Sequence, residues 1–377
     1  MVDEQVRVVG DWTRVEEQLR SWHDASPAGG VMVLLPEAEA HRVPGLQLLA
    51  REIGTAMIGA LFPALIDGGE FATRGAWLLH WRAMPPFFLV PQDPNDEVAS
   101  AESICGALSP QLSDDGDSPT LFLTFDAMLP NIASILISVF RACGRAVHYA
   151  GVNAGSETFQ AMPCLFDKDR FLDRAVLGVL LPSSALVASR HGYPVSNALM
   201  HATSTVGNRL DSIDGRPAFD VYQQVIREEY GVELTPANFY EHAVHFPFGV
   251  VMTSDVLVRI PVAFGPDGSI TCVGEVPTHS RARLLRAPTL HASDCVRELT
   301  LAMNACVGQP LALFYCAGRR MHFGDDAQQE LGEFVGATMA PVTYGALTLG
   351  EIDTLAGFGL PRFHNASLLS LGLRSAG

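Results

Sequence analysis

Basic residues are scarce in this chain. Against 41 Asp and Glu there are 25 Lys and Arg, a formal net charge of −16 over 377 residues, and no Lys/Arg-rich run offsets it locally. Such a surface repels phosphate backbones and anionic lipid, so neither nucleic acid nor a membrane is expected as a partner. Long apolar runs are missing as well: the longest, over 131–139 and 175–181, fall well short of a bilayer span. The opening Met-Val-Asp-Glu-Gln has neither the basic nor the apolar region of a signal peptide, which predicts a cytoplasmic protein. Cysteine is sparse and unpatterned. The seven thiols include no CxxC pair and lie mostly in apolar segments, as reduced core cysteines do.

Signatures of common catalysis are also absent. There is no GxxxxGK[ST] phosphate loop, no GxGxxG after a strand, no GxSxG elbow and no HExxH. A binding protein is therefore expected before an enzyme. The competing enzyme reading would use Cys316 as nucleophile, Arg319 as electrophile and Glu351 as base.

What is present is material for packing. Hydrophobic residues make up 48% and charged residues 18%, which excludes extended disorder, and the length suits two domains, expected over 1–205 and 206–377. Apolar runs bounded by Gly and Pro predict strands over 31–35, 56–62, 76–81, 120–125 and 174–181, and helical spacing predicts a helix over 131–143. After residue 205, helices are predicted over 217–230, 293–307 and 327–335, with strands over 249–252, 256–261, 269–274, 311–315, 342–347 and 367–371. Hairpin chemistry with helices in separate blocks points to α+β: two related domains of mostly antiparallel sheets covered by helices. An internal echo links Ile58-Gly-Ala-Leu-Phe to Tyr344-Gly-Ala-Leu-Thr.

The most distinctive text is Asn208-Arg-Leu-Asp-Ser-Ile-Asp-Gly-Arg-Pro-Ala-Phe-Asp-Val-Tyr222, then Phe314-Tyr-Cys-Ala-Gly-Arg319, Tyr344-Gly-Ala-Leu-Thr-Leu-Gly-Glu-Ile352 and Phe363-His-Asn-Ala-Ser-Leu-Leu-Ser-Leu371. In that order the four resemble the C-terminal domain of FIST sensory proteins. Ile58-Gly-Ala-Leu-Phe and Tyr149-Ala-Gly-Val-Asn-Ala-Gly-Ser-Glu-Thr-Phe159 resemble the N-terminal FIST domain more loosely. One departure is Phe62-Pro-Ala-Leu-Ile-Asp-Gly-Gly-Glu70, where many members carry a small-residue turn before Gly-Glu. The resemblance implies a sensor of small ligands such as amino acids, acting in signal transduction through a separate partner, such as a histidine kinase or a cyclic-dinucleotide enzyme. A branch of the family binds haem and senses nitric oxide, so haem is a possible cofactor.

Candidate ligand contacts follow from residue chemistry in these motifs. Arg319 could clasp a carboxylate or form an ion pair with an acid such as Asp325. Glu351 could meet a ligand ammonium or pair with Arg319. His364 and Asn365 suit polar recognition or the capping of a turn. Asn153 and Ser156, with Gly151 and Gly155, could form an anion-binding nest or a plain turn. Cys316 is a core thiol or a ligand in the Arg319 pocket, and Tyr344 is placed at the same site. His242 and His245 share a helix-face spacing that could hold a metal, though most pairs of this kind are structural. His245 and His322 are the histidines whose apolar neighbours would suit a haem axial ligand.

Overall fold

The computed structural model describes residues 2–112, 118–252, 255–354 and 359–373. The chain is α+β, and its sheets are mostly antiparallel. Three six-stranded sheets share one strand order. At the centre of each is a parallel pair joined by a helical crossover: Gly30–Pro36 with Ala56–Phe62, Thr120–Asp126 with His148–Ala154, and Leu311–Cys316 with Thr343–Thr348. One side of each pair carries two antiparallel strands. These are Ala76–Trp81 then Glu4–Val8, Ala175–Leu181 then Phe87–Pro91, and Leu368–Leu373 then Ala185–Arg190.

The other side is completed by a hairpin from a different repeat. The hairpin beginning Leu165–Asp167 joins the first sheet, Glu351–Thr354 the second, and Leu65–Asp67 the third, so the exchange runs in a closed cycle. Register repeats with it. Gly59, Gly151 and Gly345 lie opposite Val33, Leu123 and Leu313. A Cβ on any of them would stand 2.5, 2.0 or 1.9 Å from the facing carbonyl oxygen, so only glycine fits. The echo between Ile58-Gly-Ala-Leu-Phe and Tyr344-Gly-Ala-Leu-Thr therefore marks equivalent strands, and Ala150-Gly-Val-Asn-Ala is a third, more divergent repeat.

The inner faces of the three sheets enclose one apolar core, which includes Val33, Phe122, Val152, Ala312, Phe314 and Tyr344. Helices cover the outer faces. Ile132–Cys143 presents Ile135, Leu136 and Val139 to the second sheet, and Asp326–Thr338 presents Leu331 and Phe334 to the third. These helices are held mainly by burying such stripes.

A fourth, antiparallel sheet is inserted in the third repeat. The first two repeats pass directly from edge strand to helix, Glu4–Val8 to Thr13–Ala25 and Phe87–Pro91 to Glu97–Leu108. Between Ala185–Arg190 and Cys295–Ala302 the chain instead builds, among the described residues, eight further strands from Val195–Val206 to Arg281–Leu285, with helix Ala218–Tyr230 packed on them. This unit has its own core around Ile213, Phe219, Tyr222, Ile226 and Phe248. Residue 205 falls inside Val195–Val206, and strands from both sides of it share the second and third sheets. Among the described residues no helix is long and apolar enough to cross a membrane.

Candidate functional site

The inserted unit and the third repeat enclose a cleft of about 1060 Å³. Its floor comes from the connection Ser189-Arg-His-Gly-Tyr193 and from His364, and its walls from His245 in the turn after the helix Phe239–Ala243, His322 on the helix Ala317–Phe323, and Asp294 just before the helix Cys295–Ala302. Tyr193 is 4% exposed, and its hydroxyl has no hydrogen-bond partner among the described residues. His364 is 2% exposed; its Nε2 lies 3.0 Å from Asp353 Oδ1, and its Nδ1 has no partner among the described residues.

Asp353 is the anchor behind His364. Arg362 donates to its two oxygens at 2.9 and 2.7 Å, and Ser189 donates at 2.5 Å. Burial alone would raise its pKa, yet the charge and hydrogen bond of His364 and those of Arg362 hold it well below the usual carboxylate range. At the rim, burial of Asp255 is outweighed by hydrogen bonds from His191 and the Val256 N–H, which bring its pKa down to about 2. A fixed anion thus stands on either side of Arg362, and the imidazole of His364 is held in one orientation.

On the opposite wall His245 and His322 touch, Nδ1 to Nδ1 at 2.7 Å, while His322 Nε2 lies 2.8 Å from the Pro288 carbonyl. Nε2 of His322 must donate to that carbonyl, so its Nδ1 accepts and His245 Nδ1 donates. Burial pushes both pKa values down, which favours the neutral state that the accepting ring of His322 needs for this bond. Nε2 of His245 is left for the cleft.

Family models match the chain in two blocks, the FIST N domain over residues 33–216 and the FIST C domain over 218–353. The chain is a FIST domain protein. FIST domains are sensory domains of signal transduction that bind small ligands. No curated protein matches the chain.

In this FIST protein the residues singled out from sequence do not share one recess. Arg319 is fully buried, and its five N–H groups are donated to Glu330, His191 O, Ala366 O and Ser293. That is a structural ion pair, with Glu330 in place of Asp325, and no donor remains for a ligand carboxylate. Glu351 does not meet Arg319. It is fully buried and accepts hydrogen bonds from Thr348 and Ser367, both at 2.6 Å; burial raises its pKa to about 7. Tyr344 lies in the central core at 2% exposure, its ring 5.9 Å from Trp77. Ser156 bonds Thr158 at 2.9 Å and closes a turn. None of these four lines the cleft.

His364 does line it, together with Ser367. Cys316 and Asn365 border a separate recess of about 240 Å³, where the Asn365 amide donates to Val258 O and Val273 O and ties the inserted sheet to the third repeat. Asn153 borders a third recess of about 190 Å³. Cys316 is 2% exposed, and burial, reinforced by Glu351, pushes its thiol far above the ordinary range. The proposed Cys316/Arg319/Glu351 chemistry therefore has no thiolate and no free guanidinium. His242 and His245 both face the cleft, but no group of three or more metal-ligating side chains forms among the described residues.

Tyr193, His191, Asp255 and Arg286 line the cleft and were not singled out from sequence. The available signal was His191-Gly-Tyr-Pro194, a polar and aromatic cluster shortly before the domain boundary expected at residue 205.

Proposed function

We propose that this FIST protein senses a small polar ligand, of amino-acid type, in the cleft between the inserted sheet and the third repeat. The observation that carries the reading is the pair of buried, unpartnered polar atoms, Tyr193 Oη and His364 Nδ1, on one concave surface. An unpaired buried polar atom costs about 1–3 kcal/mol, so a ligand that pairs with both is favoured by that relief. Charges of both signs border the cleft, Arg190 and Arg286 against Asp294, Glu298 and Asp326, which suits a zwitterion.

A ligand touching both walls would fix the inserted sheet relative to the three-sheet body. The partner would then read that position; a histidine kinase or a cyclic-dinucleotide enzyme in the cytoplasm is the type of partner proposed. The test is a thermal-shift screen of amino acids and related acids against wild type and Tyr193→Phe. A ligand of this site raises the wild-type melting temperature and loses most of that effect in the variant; a screen in which no compound does so overturns the assignment.

One observation favours a second reading, haem. Nε2 of His245 is free to ligate an iron, and Phe246, Leu290 and Phe323 supply part of an apolar wall. When bound, haem would bring reversible binding of a diatomic gas. The charged residues around the rest of the cleft favour the polar ligand. A visible spectrum with stoichiometric haem separates the two: a Soret band that is lost in His245→Ala would establish haem at this site.

A further inference from the structure

The threefold repeat lets each buried position be compared with its two equivalents in the same molecule. Two residues beyond the shared glycine stand Leu61, Asn153 and Leu347. Their backbones are used alike: Leu61 N donates to Cys164 O at 2.8 Å, Asn153 N to Gly350 O at 2.9 Å, and Leu347 N to Ala64 O at 2.8 Å. Leu61 and Leu347 are fully buried, and Asn153 is 1% exposed. The fold thus fills this position with leucine twice and with an amide once. Among the described residues the Asn153 Oδ1 has no hydrogen-bond partner, which is a cost to folding that the other two repeats avoid.

The surroundings are adapted to that amide. Opposite it, Gly350 replaces the Ala64 and Cys164 of the other repeats, and a Cβ there would lie 3.1 Å from Asn153 Nδ2 and 2.4 Å from the Phe363 ring. The recess it borders, of about 190 Å³, is walled by Met128, Pro130, Phe159 and Phe363. Phe159 holds a φ of +53°, a conformation seldom taken by an aromatic residue. The other polar groups around the recess are committed. Asn208 donates to Cys272 O at 3.0 Å, and Glu275 accepts from the N–H groups of Ala133 and Ser134 at the start of the helix Ile132–Cys143. Among the described residues no Arg or Lys lines it.

We propose that this recess binds a small, neutral, planar molecule that presents an amide-like edge to Asn153, one N–H beside one carbonyl oxygen or ring nitrogen. A side-chain amide pairs with such an edge through two hydrogen bonds, Oδ1 accepting and Nδ2 donating. Phe159 and Phe363 supply the apolar flanks. Arg259 stands behind Glu275, its Nε donating to the Glu275 carbonyl at 2.8 Å, but it is not among the residues that line the recess, so an anion would meet the Glu275 carboxylate and no lining cation. The site is separate from the cleft and stands whether or not the cleft reading holds.

The test uses the full chain and four probes, benzamide, nicotinamide and adenine with benzoate as the anionic control, read by thermal shift and calorimetry. At least one amide-edged probe raises the wild-type melting temperature and benzoate does not. Asn153→Leu, which installs the residue of the other two repeats, melts at or above the wild-type temperature and binds the active probe at least tenfold more weakly. Val262→Trp, which fills the recess from its half-exposed rim, abolishes the response without touching the amide. The Tyr193→Phe change in the cleft leaves it intact. The proposal is overturned if no amide-edged probe shifts the wild type, if Asn153→Leu responds like wild type, or if that variant melts several degrees lower or fails to fold.

Discussion

Arg319 and Glu330 face each other with both side chains at 0% exposure, joined by hydrogen bonds of 2.7 and 2.6 Å. Tyr315 donates a third bond to the same carboxylate at 2.7 Å. Removing one member leaves a buried charge without its counter-ion, a loss of about 3–5 kcal/mol in comparable pairs. Glu330→Ala is therefore expected to lose stability on that order in urea unfolding. A loss below about 1 kcal/mol would show that the pair is not what holds the end of the Leu311–Cys316 strand to the helix Asp326–Thr338.

Glu351 occupies the position of Leu65 and Leu165 in the other hairpins, so a carboxyl stands where the fold twice uses an apolar side chain. Burial raises its pKa from 4.5 to about 7. The folded state then binds a proton that the unfolded chain has released, so the stability linked to this group is full below pH 4.5 and is lost as pH rises through 7. At ~1.4 kcal/mol per pKa unit the loss is on the order of 3 kcal/mol. Glu351→Gln should flatten this part of the stability profile between pH 5 and 8; an unchanged slope would mean that Glu351 is ionised throughout.

These two residues also show what the sequence could reveal. Local periodicity located most elements to within a residue or two: the predicted helices 131–143 and 217–230 are Ile132–Cys143 and Ala218–Tyr230. Each is an amphipathic stripe ended by a glycine, a signal carried within its own length. The hairpin exchange left no such trace, because a three-residue strand such as Leu65–Asp67 carries nothing that specifies a partner 280 residues away. Likewise the motif ending in Arg319 was visible, but its saturation by Glu330 and by carbonyls of His191 and Ala366 depends on three separate segments. The cleft was hidden for the same reason, since its lining spans residues 189 to 367.

The histidine pair carries the opposite pH dependence to Glu351. Burial lowers both pKa values below 6.5, so the unfolded chain takes up protons first as pH falls. The stability linked to the pair is present above pH 6.5 and is lost as pH drops through the lowered values. Groups around the pair include His242, Glu241, Arg319 and Glu330, of which the two acids favour protonation and the others oppose it. Comparing wild type with His245→Phe/His322→Phe by denaturant unfolding at pH 8 and pH 5.5 isolates the effect. The double variant should lose less stability on acidification, and an equal loss would remove the pair from the acid response.

Two buried tyrosines test the central premise of the cleft by contrast. Tyr222 donates its hydroxyl to Phe246 O at 2.8 Å, while the Tyr193 hydroxyl has no partner among the described residues. Removing an oxygen from a satisfied site loses a hydrogen bond worth about 1 kcal/mol and strands its acceptor, whereas removing an unpaired one relieves a desolvation cost. Tyr222→Phe is therefore expected to lose about 1 kcal/mol in chemical denaturation, and Tyr193→Phe to lose nothing or to gain up to about 1 kcal/mol. If Tyr193→Phe is destabilised as much as Tyr222→Phe, its hydroxyl is already bonded in the free protein. The cleft would then keep only His364 Nδ1 as a buried anchor for a ligand, too little to select a zwitterion over a neutral molecule of the same shape.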